Sequence, residues 1–210
     1  MAERTGASKT NIWVGMDVLN GALREDLESQ APRACAVIDP LKLKLTNWSE
    51  VVACHAPAHP QRPDLGQRHF GFGPELWIER EDFAEIPPKG YFRLFPGNSV
   101  RLRYGFVVKC TGCEKDPAGH VTAVHCEYFP DSKSGTPGAD AYKVKGNIHW
   151  VSAKHAHAAK VHLYDRLFGV PEPGKERDFL EDINPASRRI VEAQLEAMMG
   201  GRGSAAAEAA

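Results

Sequence analysis

A short run of strict alternation, LKLKL at Leu41–Leu45, limits what this chain can fold into more than any other feature. Successive side chains of a strand point to opposite faces, so Leu41, Leu43 and Leu45 share one side and Lys42 and Lys44 the other. A helix would scatter the same residues around its axis, whereas a half-buried strand sorts them cleanly. The pattern recurs. Val100, Leu102, Tyr104, Phe106 and Val108 read as one face of a continuous strand, with Arg101, Arg103 and Lys109 on the other. Val144, Gly146, Ile148 and Trp150 alternate with Lys143, Lys145, Asn147 and His149. Turn chemistry separates these runs in DPAGH and PDSKSGTPGAD, and Asp116–Gly119 is the expected tip of a hairpin. Fifteen prolines and 19 glycines in 210 residues suit short strands in antiparallel barrels better than a helical bundle.

The N-terminal part reads differently. Met16, Leu19, Leu23 and Leu27 recur at helical spacing, which predicts a helix that Pro32 ends. At the other end, RRIVEAQLE (Arg188–Glu196) fits two patterns. Val191, Ala193 and Leu195 share a strand face, while Ile190, Val191, Leu195, Met198 and Met199 are loosely helical. The following MMGGRGSAAAEAA reads as a linker or a flexible tail.

Composition excludes some classes. No run approaches the roughly 18 apolar residues of a membrane span, and the N-terminus lacks the apolar centre of a secretion signal. Five cysteines (Cys35, Cys54, Cys110, Cys113 and Cys126) without a secretory context imply reduced thiols and a cytoplasmic protein. The net charge of −1 hides local contrasts. Lys89–Cys113 holds five basic residues and no acid, and Glu75–Glu85 holds five acids against Arg80. Lys143–Tyr164 carries four lysines and four histidines without an acid. Basic stripes of this kind suit RNA and equally suit a patterned solvated surface.

Few side chains suggest catalysis. No G-x-G-x-x-G or Walker pattern is present. Cys110 and Cys113 form a CxxC that would need soft partners such as Cys126 with His125 or His120 to hold zinc, and the spacing matches no standard finger. His155, His157 and His162 read as solvated or sheet-face residues before they read as ligands. Trp77 and Trp150 fall in strand-like runs and are expected in a core. Asp165 and Arg166 look like a buried or half-buried ion pair. Arg101 and Arg103 are expected to point the same way from one strand, where two guanidiniums could hold a phosphate or a base edge. Cross-strand ion pairing is the plainer alternative.

Seven blocks, in order, resemble the anticodon-binding half of the glutaminyl-tRNA synthetase family, class I aminoacyl-tRNA synthetases. They are REDLESQAPRACAVIDP (Arg24–Pro40), HPQRPDLGQR (His59–Arg68), ELWIEREDF (Glu75–Phe83), RLRYGFVVK (Arg101–Lys109), KVKGNIHWVSA (Lys143–Ala153), LYDRLFGVPEP (Leu163–Pro173) and INPAS (Ile183–Ser187). HIGH-like and KMSKS-like motifs are absent, so the resemblance implies a chain that reads tRNA but does not charge it.

The implied fold is mainly β: two antiparallel β-barrels, one inserted in the other, of a ribosomal-protein-like anticodon-binding type. Residues 1–28 would be a helical connector toward a catalytic domain of the same polypeptide. Residues 29–88 and 143–196 would form a proximal barrel, 89–142 a distal barrel, and 197–210 a linker or tail. The resemblance also favours a strand at Arg188–Glu196.

Anticodon contacts carry over to Arg33, Gln61, Lys89, Tyr91, Arg93, Arg101 and Arg103. Of these, Arg33 would contact the middle base, Arg93 the third and Arg103 the region of the first. Gly90 and Phe92 stand where some members have polar contacts, and Lys109, Lys143 and Lys145 would face phosphates. The expected partner is tRNA-Gln, with no membrane association and a monomeric state. ATP and Mg²⁺ would serve the parent enzyme, with no cofactor in this chain. A related glutamyl-tRNA synthetase and a free-standing RNA- or protein-binding barrel are the alternatives.

Overall fold

In the computed structural model, Gly6 and residues 14–199 are described. The expected helix forms at α1 (Met16–Gln30) and stops before Pro32, with Ala31 already extended at φ −78° and ψ 128°. A residue in front of proline avoids the helical region, which gives the stop its cause. The face of Met16, Leu19, Leu23 and Leu27 exists as read, but each of the four is more than 40% exposed. Most of the expected connector before Met16, and the tail after Met199, lie outside the described residues.

Strands dominate the rest, so the chain is mainly β as expected. They are β1 (Ala36–Val37), β2 (Pro40–Leu45), β3 (Val52–Pro57), β4 (Gln67–Phe72), β5 (Glu75–Glu79) and β6 (Ser99–Leu102). Then follow β7 (Val107–Lys115), β8 (Val121–Tyr128), β9 (Gly146–Ile148), β10 (Val151–Ser152), β11 (His157–Tyr164) and β12 (Arg188–Leu195). Leu41, Leu43 and Leu45 of β2 are buried while Lys42 and Lys44 stay half-exposed. The ambiguous C-terminal run is a strand, with Ala193 fully buried.

The chain divides into two units. One comprises residues 1–33, 57–66 and 162–189; the other comprises 34–56, 67–161 and 190–210. In the larger, seven strands follow the order β10-β5-β2-β8-β7-β6-β9. Its two edge strands are consecutive in the chain, with only His149 and Trp150 between them. Three Cα steps reach about 11 Å at most. A flat seven-stranded sheet would hold its edges roughly 29 Å apart. The sheet is therefore rolled upon itself, which makes it barrel-like. Inside the roll, Phe72 packs its ring 4.8 Å from Phe106 and 5.2 Å from Trp150, and Trp48 meets Tyr128 at 4.4 Å.

Three local expectations are corrected. β2 pairs with β8, and β6 with β9, in parallel, so the sheet is mixed and not purely antiparallel. The same pairs join segments on either side of residues 88 and 142. Such pairings join segments far apart in the chain, which alternation cannot reveal. Val100–Val108 is not one strand: β6 and β7 form an antiparallel hairpin that turns at Arg103–Gly105. Finally, Trp150 is core, but Trp77 lies on the outer face between inward Leu76 and Ile78, with the Lys42 ammonium 4.9 Å from its ring.

One glycine has a steric reason. A Cβ at Gly146 would lie 2.3 Å from the Phe92 carbonyl oxygen and 2.7 Å from a Val100 methyl. The missing side chain lets β9 close against β6 and brings Asn147 to His149 beside the loop that carries Phe92 and Arg93.

Candidate nucleic-acid interface

The β6–β7 turn separates two arginines that were expected to act together. Leu102 N–H donates to Phe106 O and Gly105 N–H to Leu102 O, which closes a tight loop with Tyr104 at φ +60°. A bulky residue in the left-handed region persists only where its surroundings enforce it. Here the backbone of Arg103 is held from both sides: its N–H donates to Ile148 O at 2.9 Å, and its C=O accepts the Trp150 indole N–H at 3.0 Å. The Arg103 side chain is exposed and lies 5.4 Å from the Tyr104 ring. The guanidinium of Arg101 is used up inside the fold. It donates to Ser132 O at 2.8 Å, Ala139 O at 2.9 Å and Ser134 Oγ at 3.3 Å.

A loop between Phe83 and Leu94 supplies Lys89, Tyr91, Phe92 and Arg93. Its ends are tied by the Phe83–Leu94 bridge and by hydrogen bonds from Leu94 N–H to Asp82 O and from Ala84 N–H to Leu94 O. Lys89 and Phe92 are exposed, and the Lys145 ammonium sits 5.1 Å from the Phe92 ring. The Tyr91 hydroxyl donates to Glu81 O at 2.9 Å; burial, with Asp82 near, pushes its phenol up to about 12.

Arg93 is exposed and pairs with Glu81 at 2.8 Å and with Asp82 at 3.0 Å. Asp82 is almost fully buried. Burial raises its carboxyl above the usual range, and Arg93 offsets part of that. Glu81, Asp82, Arg93, Arg103, Asn147, Ile148 and His149 line one hollow of about 210 Å³. The structure thus brings Arg93 and Arg103 together on one small polar hollow. Sequence reading missed the acids and the Asn147–His149 wall. The acidic Glu75–Glu85 run next to the basic stripe was the available signal.

Arg33 and Gln61 belong to the smaller unit. Arg33 N–H donates to Ala58 O at 2.6 Å, and its guanidinium pairs with Glu28 of α1, also at 2.6 Å. Buried His59 bridges the two segments, with Nε2 2.6 Å from Glu28 O and Nδ1 accepting the Gln61 N–H at 3.0 Å. The side chain of Gln61 is exposed. In this unit, too, the expected buried Asp165–Arg166 pair is corrected: both are exposed, and Asp165 accepts the Arg166 backbone N–H.

The remaining candidates stand apart from the hollow. Cys110 and Cys126 face each other across β7 and β8, both fully buried and both free thiols. Among the described residues no three histidine, cysteine or acidic side chains converge as a metal site. Among the described residues no helix is long and apolar enough to cross a membrane.

The larger unit is thus a rolled, mainly-β sheet that carries Arg93 and Arg103 on one polar hollow. Two family models, both described as the anticodon-binding domain of class I tRNA synthetases (E and Q), match residues 31–129 and 147–202. The chain belongs to this family. It is 60% identical over 199 residues to a glutamine–tRNA ligase of Ralstonia pickettii (strain 12J), across 92% of this chain and 34% of that protein. A glutamine–tRNA ligase of Ralstonia nicotianae is 58% identical, and one of Bordetella pertussis is 56% identical, with the same coverage. The chain spans about a third of the length of the curated relatives it matches.

Proposed function

We propose that this chain reads the anticodon of tRNA-Gln as the anticodon-binding part of a glutamine–tRNA ligase. The observation that carries this reading is 60% identity to such a ligase across 92% of the chain. In the proposal, Arg93, Arg103, Lys89, Tyr91, Arg33 and Gln61 face the unpaired bases, and Arg101 serves by holding the loop that its three acceptors belong to. Guanidiniums and amides suit base edges, and exposed Phe92 offers a ring on which a base can stack. Lys109, Lys143 and Lys145 add phosphate attraction that carries no sequence information.

Ligation of glutamine, with ATP and Mg²⁺, is assigned in this reading to the whole cytoplasmic enzyme, whose catalytic domain belongs to the same polypeptide. The exposed stripe of Met16, Leu19, Leu23 and Leu27 suits a connector that packs against that domain. Binding energy gathered at a distant anticodon would orient the reacting end of the tRNA.

The test is a binding titration of the chain against tRNA-Gln transcripts with native and altered anticodons at two salt concentrations. A preference for the native anticodon that survives higher salt is the expected result. Equal binding of all transcripts, lost together as salt rises, would leave only a basic surface and refute the reading.

A further inference from the structure

Two of the five cysteines stand directly opposite each other on neighbouring strands. The β7–β8 register pairs Cys110 with Cys126, Lys109 with Glu127 and Val108 with Tyr128. Facing residues of an antiparallel ladder alternate between hydrogen-bonded and non-hydrogen-bonded pairs, and in the second kind the Cα atoms approach to about 4.5 Å. The Phe129 N–H donates to Val107 O, so the hydrogen-bonded pairs are Val107 with Phe129 and Lys109 with Glu127. Cys110 and Cys126 are therefore a non-hydrogen-bonded pair. Their backbone bonds run outward accordingly: the Cys110 N–H donates to Asn98 O and Cys126 O accepts the Thr46 N–H, both at 2.9 Å.

A disulfide needs Cα atoms about 4.4–6.8 Å apart and Cβ atoms on the same side, and this pairing supplies both. Both side chains are fully buried in the core of the sheet. Cys113, three residues further along β7, lies roughly 10 Å from Cys110, beyond bridging distance.

The surroundings distinguish the two sulfurs. A hydrogen bond from the Cys126 thiol holds Cys110 below the ordinary thiol value, although burial opposes it. The same bond, with burial, pushes Cys126 well up. Cys110 is thus the better nucleophile. A register shift between Cys110 and Gly112 interrupts the ladder at Thr111, so the strands part most readily beside Cys110.

We propose that Cys110 and Cys126 are a redox-active thiol pair, which hydrogen peroxide closes into a cross-strand disulfide within the native register. First, the Cys110 thiolate attacks the peroxide: an S–O bond forms, the O–O bond breaks, and the departing hydroxide takes up the thiol's proton as water. Cys110 is then a sulfenic acid. Next, the Cys126 sulfur attacks the Cys110 sulfur: the S–S bond forms, the S–O bond breaks, and the hydroxyl leaves as water with the Cys126 proton. Two thiols are oxidised and one peroxide is reduced to two waters. Both thiols are free in the structure, which is the reduced state of the pair. This inference does not depend on the anticodon reading.

For the test, the 210-residue chain is treated with hydrogen peroxide, unfolded with an alkylating agent present, and mapped by peptide mass spectrometry. The expected product joins Cys110 to Cys126, with Cys113 alkylated, is lighter by two hydrogen atoms, and is reversed by dithiothreitol. Its melting midpoint is expected to rise on the order of 5 °C, since the bridge closes a loop of about 15 residues in the unfolded chain. Cys126→Ala is expected to lose the crosslink and to carry a dimedone adduct at Cys110, a sulfenic acid left without its resolving partner.

A native chain whose Cys110 and Cys126 both remain open to alkylation after peroxide, while Cys35 or Cys113 is oxidised, overturns the proposal. So does a bridge that lowers the midpoint, because the native register would then not accommodate it. A folded Cys126→Ala without the adduct removes Cys110 as the point of attack and overturns the mechanism. If that variant does not fold, the map and the melt of the native chain decide by themselves.

Discussion

Replacing Arg101 by alanine separates a recognition role from a structural one. The family resemblance would make this arginine a base contact, but its guanidinium spans the start and end of the 132–139 loop, with acceptors at 2.8, 2.9 and 3.3 Å. Hydrogen bonds that involve a charged group contribute about 1.5–3 kcal/mol each when lost from a buried setting. Arg101 is only half-buried and water can reach part of the vacated space, so about 3 kcal/mol for the set is a reasonable estimate. For a chain of this size, about 2–4 °C is lost per kcal/mol, so the melting midpoint should fall by about 6–12 °C. Arg101→Lys keeps the charge but not the fork and should recover less than half of that. Differential scanning fluorimetry gives the midpoint, and the anticodon titration, run well below it, gives the preference. The expected variant is less stable and weaker toward every anticodon by a similar factor. A midpoint within about a degree of the native chain, together with a lost anticodon preference, would show that Arg101 reads a base and that the loop does not need it.

Two further outcomes follow from buried or caged acids. Glu196 forms a buried ion pair with Arg68 and also accepts the Cys35 N–H at 2.8 Å. Removing it as Glu196→Ala strands a buried guanidinium and should cost about 3–5 kcal/mol in a urea melt; an unchanged midpoint would mean that water already solvates Arg68. Asp182 is held below the usual carboxylate range, first by the Gly174 N–H and then by Arg177. Because the folded value is depressed, its contribution is complete above the ordinary aspartate range near pH ~4 and is lost as pH falls through the folded value. Amide exchange of residues 174–183, corrected for intrinsic rate, should therefore accelerate in strong acid in the native chain but respond less in Asp182→Asn. Identical acid responses would remove Asp182 as the cause.

What the sequence made legible was local. The alternation at Leu41–Leu45, the Asp116–Gly119 hairpin tip and the end of α1 at Pro32 each rest on side chains within a few residues of one another. All three appear in the fold. The turn at Arg103–Gly105 was hidden because its flanks keep the same parity: Val100 and Leu102 point inward before it, and Phe106 and Val108 after it. A hairpin whose loop preserves alternation reads as one strand. Tyr104 gave no turn signal either, since the left-handed conformation is the one least expected of it. The parallel pairs β2–β8 and β6–β9 depend on closure of the whole sheet. The hollow was legible only in halves: its arginines stood out as a basic stripe, while Asp82 lay in the acidic run before it.

The wall of the hollow and the seam of the barrel are the same piece of chain. Asn147 and Ile148 end the edge strand β9, and His149 and Trp150 are the two residues that carry the chain to the opposite edge, β10. Ile148 O takes the Arg103 N–H, and the Trp150 indole holds the Arg103 carbonyl, so the position of Arg103 is set by the closure itself. Core changes near Trp150 should therefore weaken RNA binding without favouring any base, because they loosen the seam that supports every contact. Changes at Arg93 act on a group that hangs from a separate, bridged loop, and their effect should follow the identity of the base. The contrast between those two kinds of loss distinguishes the scaffold from the reader in this fold.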